Sequence, residues 1–219
     1  MKERRALLVG ASGLVGGECL RQLVTNPAYA RVTVLTRRDL GASAREPKVR
    51  QVVTEFSALA RLGDALEADD VFCALGTTIR KAGSQERFRE VDQQYPLQLA
   101  QLTRQAGARH YSIVSALGAD PTSRVFYSRV KGEVEQALRA MRWPSLVILR
   151  PSVIAGVRAE SRPMERLAEH VLRFAPRTWR PVAARDIAAA MIATALRAPP
   201  GVTVLESRDI PRAANSAHA

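Results

Sequence analysis

The chain has 219 residues, enough for one well-buried core and too few for two domains of ordinary size. Its formal charge is +12, from 33 Lys and Arg against 21 Asp and Glu. The basic residues are scattered, touch only in pairs such as Arg4-Arg5 and Arg37-Arg38, and have no interleaved aromatics, which argues for a solvated basic surface and against a dedicated nucleic-acid site.

Cys19 and Cys73 have neither metal-ligand spacing nor a secreted context and read as small buried side chains. His110, His170 and His218 stand apart, so no metal site is expected. No apolar run is long enough for a signal segment or a membrane span, and the expected location is cytoplasmic.

In chain order, Arg5 to Val9 is a short apolar run ending at glycine and reads as a buried parallel strand; beyond it Leu14, Val15, Cys19, Leu20, Leu23 and Val24 recur at helical spacing. Between them lies Gly10-Ala11-Ser12-Gly13-Leu14-Val15-Gly16. Gly10 and Gly13 open backbone angles closed to other residues and put no side chain in a ligand's way, while Gly16 lets the helix lie close on the sheet. The helix presents unpaired N–H groups and its positive dipole end to the turn, which suits a pyrophosphate. The three-and-three glycine spacing is not the commonest dinucleotide fingerprint, and ordinary turns use glycine too.

Asn26-Pro27 stops the helix, and Arg31 to Thr36 is the second strand, with Arg37 and Arg38 at its exit. There an acid would bond an adenosine 2′-hydroxyl, whereas arginine pairs with a 2′-phosphate through its planar fork, so NADP(H) is expected over NAD(H). The alternative is two solvated arginines opening a loop. Leu40 to Lys48 is a surface loop and Val49 to Val53 a third strand; Phe56 follows it, set against an adenine or in the core.

A helix is expected over 58–66, and Asp69-Asp70 read as turn residues. Val71 to Leu75 is a fourth strand whose exit, Gly76-Thr77-Thr78, lets a cofactor pass close to backbone. Arg80 to Gln85 is a polar loop, and a helix runs from Arg87 to Ala106 with Gly107 as its stop. Tyr111 to Ser115 is the fifth strand.

Tyr127 and Lys131 are four apart on the next helix, which runs to about Met141, so they lie one turn from each other. A lysine cation there favours the phenolate, and Ser115 stands at the edge of the preceding strand. The three make a carbonyl-reduction site: a hydroxyl to orient the oxygen, an acid to protonate it and a cation to tune the acid. Surface residues on an amphipathic helix are the alternative.

Leu146 to Arg150 is a sixth strand closed by Pro151-Ser152. A loop over 155–162, a short helix over 165–176, a helix with Asp186 as N-cap, a last strand over 202–205 and a disordered tail from Ser207 complete the chain. The fold class is α/β: a doubly wound, mostly parallel Rossmann-type sheet flanked by helices. One domain over 1–206 carries a small C-terminal substrate-side appendage at about 155–180.

Gly10-x-x-Gly13-x-x-Gly16, Ser115, Tyr127-x-x-x-Lys131 and Arg150-Pro151 together resemble an atypical short-chain dehydrogenase/reductase. Within that superfamily the chain is similar to the Tat-interacting oxidoreductase-like branch. That likeness rests on Val71 to Thr78 with Lys81-Ala82-Gly83, on Val91-Asp92, on Val130 to Glu135 and on Glu160 to Pro163, and it runs over nearly the whole chain.

The resemblance implies bound NADP(H), contacts to it from Ser12 to Val15, Arg37, Leu75 to Thr77 and the turn after Pro151 including Val153, and Ser115, Tyr127 and Lys131 at the nicotinamide end. Many members carry an asparagine on the central helix as part of a proton relay; here that segment reads Val91-Asp92-Gln93. Two functions follow: an oxidoreductase acting on a small carbonyl or alcohol, or an NADP(H)-sensing regulator with a protein partner or a second copy of itself.

Overall fold

Short runs of Leu, Val and Ile without polar alternation satisfy both faces only in a sheet covered on two sides. A computed structural model describes residues 3–155 and 180–215 and contains that sheet. Its strands are β1 (Arg4–Val9), β2 (Tyr29–Thr36), β3 (Val49–Val53), β4 (Asp70–Cys73), β5 (His110–Val114), β6 (Ser145–Arg150) and a late strand, β9 (Gly201–Glu206). They lie in the order β3-β2-β1-β4-β5-β6-β9, every neighbour parallel. From β1 the chain winds outward to β3, then crosses back to β4. The crevice at the carboxyl ends of β1 and β4 is therefore the switch point where ligands of such sheets bind. A separate two-strand pair, β7 (Ile154–Ala155) with β8 (Val182–Ala183), brackets the stretch 156–179.

Successive strand side chains face opposite ways, so β1 alone feeds two cores. Leu8 joins Cys19, Leu23, Phe72, Ile187 and Met191 beneath α1 (Leu14–Thr25), α6 (Ala184–Arg197) and α7 (Ile210–Asn215). Leu7 and Val9 join Leu99, Tyr111, Leu138 and Ile148 beneath α4 (Tyr95–Gln105) and α5 (Phe126–Ala140). Cys19 and Cys73 are both fully buried free thiols.

Several expectations are corrected. The helix expected over 58–66 is two 3-10 turns, Phe56–Arg61 and Gly63–Leu66, because Gly63 at φ +51° breaks the run. Asp70 is a fully buried strand residue: Arg4 meets it at 2.7 Å through Nε and Tyr29 donates to it at 2.9 Å. The polar loop over 80–85 contains a short helix, α2 (Ile79–Ala82), capped by the Thr78 hydroxyl. The helix expected from Arg87 begins earlier as α3 (Gln85–Arg89), capped by Ser84, and passes through a π-helical turn, Glu90–Gln94, before α4.

α6 starts at Ala184 directly from β8, so its N-cap is Ala183 and Asp186 lies in its first turn. Part of the expected tail is ordered: α7 buries Ile210 and Ala214 against α6, because these two apolar residues share the inner face of the turn. The helix expected over 165–176 and the run Glu160 to Pro163 lie outside the described residues.

Candidate functional site

The glycine turn is built by exclusion. Gly10 has φ +85°, and a Cβ on it would sit 2.4 Å from the backbone oxygen of Ala74; a Cβ on Gly16 would sit 2.1 Å from the oxygen of Gly10. At these two points the turn meets the exit of β4 and the start of α1 backbone to backbone. The Gly13 N–H donates to the Gly10 oxygen at 2.9 Å, and Gly13 caps α1 with no side-chain bond and no acid in the first turn. The first turn of α1 thus brings no carboxylate of its own to compete with a diphosphate for its amides. Ser12 is exposed there, Leu14 half-buried and Val15 buried. A cavity of about 450 Å³ leads from Ala11 and Ser12 along α1 to Leu40, Ser43 and Glu46.

Arg37 and Arg38 are exposed at the end of β2, and Arg37 lies close enough to Glu90 to help hold that carboxyl below its usual range, after the Tyr95 and Arg87 hydrogen bonds. Phe56 falls in the core: its ring is 4% exposed and stacks on Tyr95 at 5.4 Å, which leaves it poorly placed to face an adenine. At the exit of β4, Leu75 and Thr77 are half-buried and Gly76 is exposed.

α5 begins at the same rim. Its second residue, Tyr127, is half-buried with its ring tilted against Phe88 at 5.6 Å; one turn on, Lys131 is 5% exposed. Lys131 Nζ lies 2.8 Å from Asp92 Oδ1, and Asp92 Oδ2 accepts the Thr77 N–H at 2.8 Å. Burial disfavours the Lys131 ammonium, but Asp92, with lesser contributions from Tyr127 and Cys73, outweighs it and holds its pKa above the ordinary lysine value.

Ser115 behaves differently from expectation. It stands at the rim, yet its Oγ donates at 2.6 Å to Glu135, two turns along α5 from Tyr127. Glu135, 3% exposed, also takes Arg150 Nη2 at 2.5 Å and Nε at 3.0 Å, and Arg150 reaches Glu206 at 3.0 Å. These bonds raise the Arg150 pKa against partial burial. The structure thus brings Tyr127 and Lys131 together and ties Ser115 into a neighbouring network. Pro151 is buried, its oxygen accepting the Leu117 N–H at 2.9 Å, while Val153 is 41% exposed with its oxygen on the Val182 N–H at 2.9 Å.

Sequence reasoning missed the roles of Asp92, Glu135 and Arg150. The available signal was acids facing Lys131 and Arg150 within an apolar core. No group of three metal-ligating side chains occurs among the described residues.

A parallel sheet with an uncapped helix behind a glycine turn at its switch point defines a nucleotide-cofactor-binding domain. A protein-family model described as NAD(P)H-binding matches residues 10–198, and the chain belongs to that family. It is similar to Protein HTATIP2 of Rattus norvegicus, 36% identical over 181 residues, covering 82% of this chain and 74% of the relative. It is also similar to the protein fmp52, mitochondrial, of Emericella nidulans, 39% identical over 166 residues, covering 74% and 71%.

Among solved structures, MoeE5 in complex with UDP-glucose and NAD shares the fold, with a TM-score of 0.71 at 18% identity over 92% of this chain and 75% of that one. A UDP-N-acetylglucosamine 4-epimerase from Methanobrevibacter ruminantium M1 does so at 0.72, 15% identity, 94% and 77%. No described helix is long and apolar enough to cross a membrane.

Proposed function

We propose that the protein is an NADP(H)-dependent oxidoreductase of the short-chain dehydrogenase type, acting on a small carbonyl or alcohol. The observation that carries this reading is the placement of Tyr127 and Lys131, one turn apart, at the rim that also holds the glycine cradle. The residues present fit the cofactor: Gly10, Gly13 and Gly16 let the turn close against β4 and α1 backbone to backbone, and the first turn of α1, with no side-chain cap and no acid, leaves its amides for a diphosphate. Ser12 and Arg37 with Arg38 suit a 2′-phosphate, and Leu75 to Thr77 with Pro151 and Val153 flank the path to the nicotinamide end.

When bound, the cofactor supplies or accepts the hydride. Tyr127 exchanges the proton on the substrate oxygen, and Lys131 holds ribose hydroxyls and stabilises the phenolate. Ser115 has its single proton on Glu135, so Tyr127 carries orientation as well as protonation. A cytoplasmic location belongs to the same reading, against the mitochondrial label of the fmp52 relatives, and cell fractionation decides between them.

The test is NADPH oxidation across aldehydes, ketones and quinones by the wild type and Tyr127→Phe. Turnover should fall at least about 100-fold in the variant with NADPH affinity kept; an equally active variant excludes the mechanism. A second reading, an NADP(H)-sensing regulator, is favoured by the engagement of Ser115 with Glu135, since that bond withdraws the hydroxyl proton from the substrate. Tight NADPH binding with no turnover on any carbonyl supports it.

A further inference from the structure

The π-helical turn Glu90–Gln94 interrupts an otherwise regular helical run and turns Asp92 inward, 1% exposed. Wide turns of this kind recur at functional sites. Two donors converge on its carboxylate: the Thr77 N–H on Oδ2 and Lys131 Nζ beside Oδ1, each at 2.8 Å. Gly76 lies alongside, where a Cβ would come 3.6 Å from Oδ1. A carboxylate accepts on both oxygens, whereas an amide would meet one of the two donors with a donor of its own.

We propose that Asp92 is a positioning residue that keeps Lys131 a fixed cation one turn below Tyr127 and ties it to the Gly76–Thr77 exit of β4. The proposal rests on the NADP(H) reading above, in which Lys131 touches ribose. Lys131 faces Asp92 from the π turn, Cys73 from β4 and Tyr127 on its own helix. Glu135, one turn further along α5, is already held by Arg150. Asp92 is thus the carboxylate paired with Lys131, and without it burial governs, so Lys131 gives up its proton at lower pH.

NADPH affinity, measured by fluorescence titration from pH 6 to pH 9 on the wild-type chain and on Asp92→Asn, tests this. The ratio of variant to wild-type Kd should grow about fivefold or more with pH, because a charge-assisted bond to ribose becomes a neutral one. Ionisation of the 2′-phosphate of NADPH affects both proteins and cancels in the ratio. Adding Lys131→Arg to Asp92→Asn should flatten the ratio, since guanidinium does not titrate in this range.

A ratio constant with pH, or a slope that survives Lys131→Arg, overturns the proposal while leaving the NADP(H) reading intact. A wild-type chain that binds no NADPH at any pH overturns both. Should Asp92→Asn not fold, Asp92→Ser keeps an acceptor for the Thr77 amide and carries the same expectation.

Discussion

At the amino end of the sheet, Arg4 and Tyr29 converge on Asp70, and His110 shares a 2.9 Å bond with Ser145 in the neighbouring strand. At the carboxyl end, Ser115 and Arg150 converge on Glu135, and Thr77 and Lys131 on Asp92. Both ends bury charge, but their surroundings differ. The first lies level with the start of the strands among large apolar side chains, Phe72 packing near both Tyr29 and His110. The second adjoins Gly10 and Gly76, where side chains have been cut away to leave a ledge of backbone. The same chemistry seals one edge and furnishes the other, so a buried ion pair speaks of function only when space has been kept beside it.

The strongest way to break this contrast is to force apart the backbone contact on which the ledge rests. Gly16→Val sets branched carbon where even a Cβ would lie 2.1 Å from the Gly10 oxygen, and should cost about 3 kcal/mol or more. Thermal melting should show that loss and NADPH titration should show no binding; a variant that binds normally would mean the turn is not the cradle. A smaller effect is expected at the end of β2. Arg37→Ala combined with Arg38→Ala should lower NADPH affinity about 10- to 100-fold with NADH affinity unchanged, as for lost charge-assisted bonds to one phosphate. Equal loss for both cofactors would remove the 2′-phosphate role.

The smallest effect on cofactor affinity belongs to the sealed edge. Burial pushes His110 down to about 3, so the unfolded chain takes up its proton first as pH falls. Its contribution is present above about pH 6.5 and is lost on acidification toward pH 3, at about 1.4 kcal/mol per pH unit. His110→Gln should flatten that slope in denaturant titrations between pH 6 and pH 4 and leave NADPH affinity alone. A change in affinity would join the two edges that the structure keeps apart.

The sheet was legible because strands buried on both faces leave uninterrupted apolar runs, and the cradle because three glycines and a following helix are local features. Tyr127 and Lys131 were legible for the same reason, being one turn apart. What the sequence concealed depends on partners far along the chain. Asp70 looks like a turn residue until Arg4, 66 positions away, is seen beside it. Ser115 looks like a substrate ligand until its bond to Glu135 is seen, and Phe56, open in the sequence between an adenine and the core, is placed in the core only by the Tyr95 ring stacked on it. Asp92 was noticed only as a departure from a family pattern; its pairing with Lys131 needs two helices brought side by side.

The packing of α1 against α6 bears on how the chain is made. Gln22 bonds the backbone of Arg185 across 163 positions, and Val15, Cys19 and Leu23 share their core with Ile187 and Met191. On a ribosome adding about 5–20 residues per second, that apolar stripe emerges roughly 8–33 s before its cover does. A nascent chain must keep the stripe soluble over this interval, and α7 joins the same layer later still.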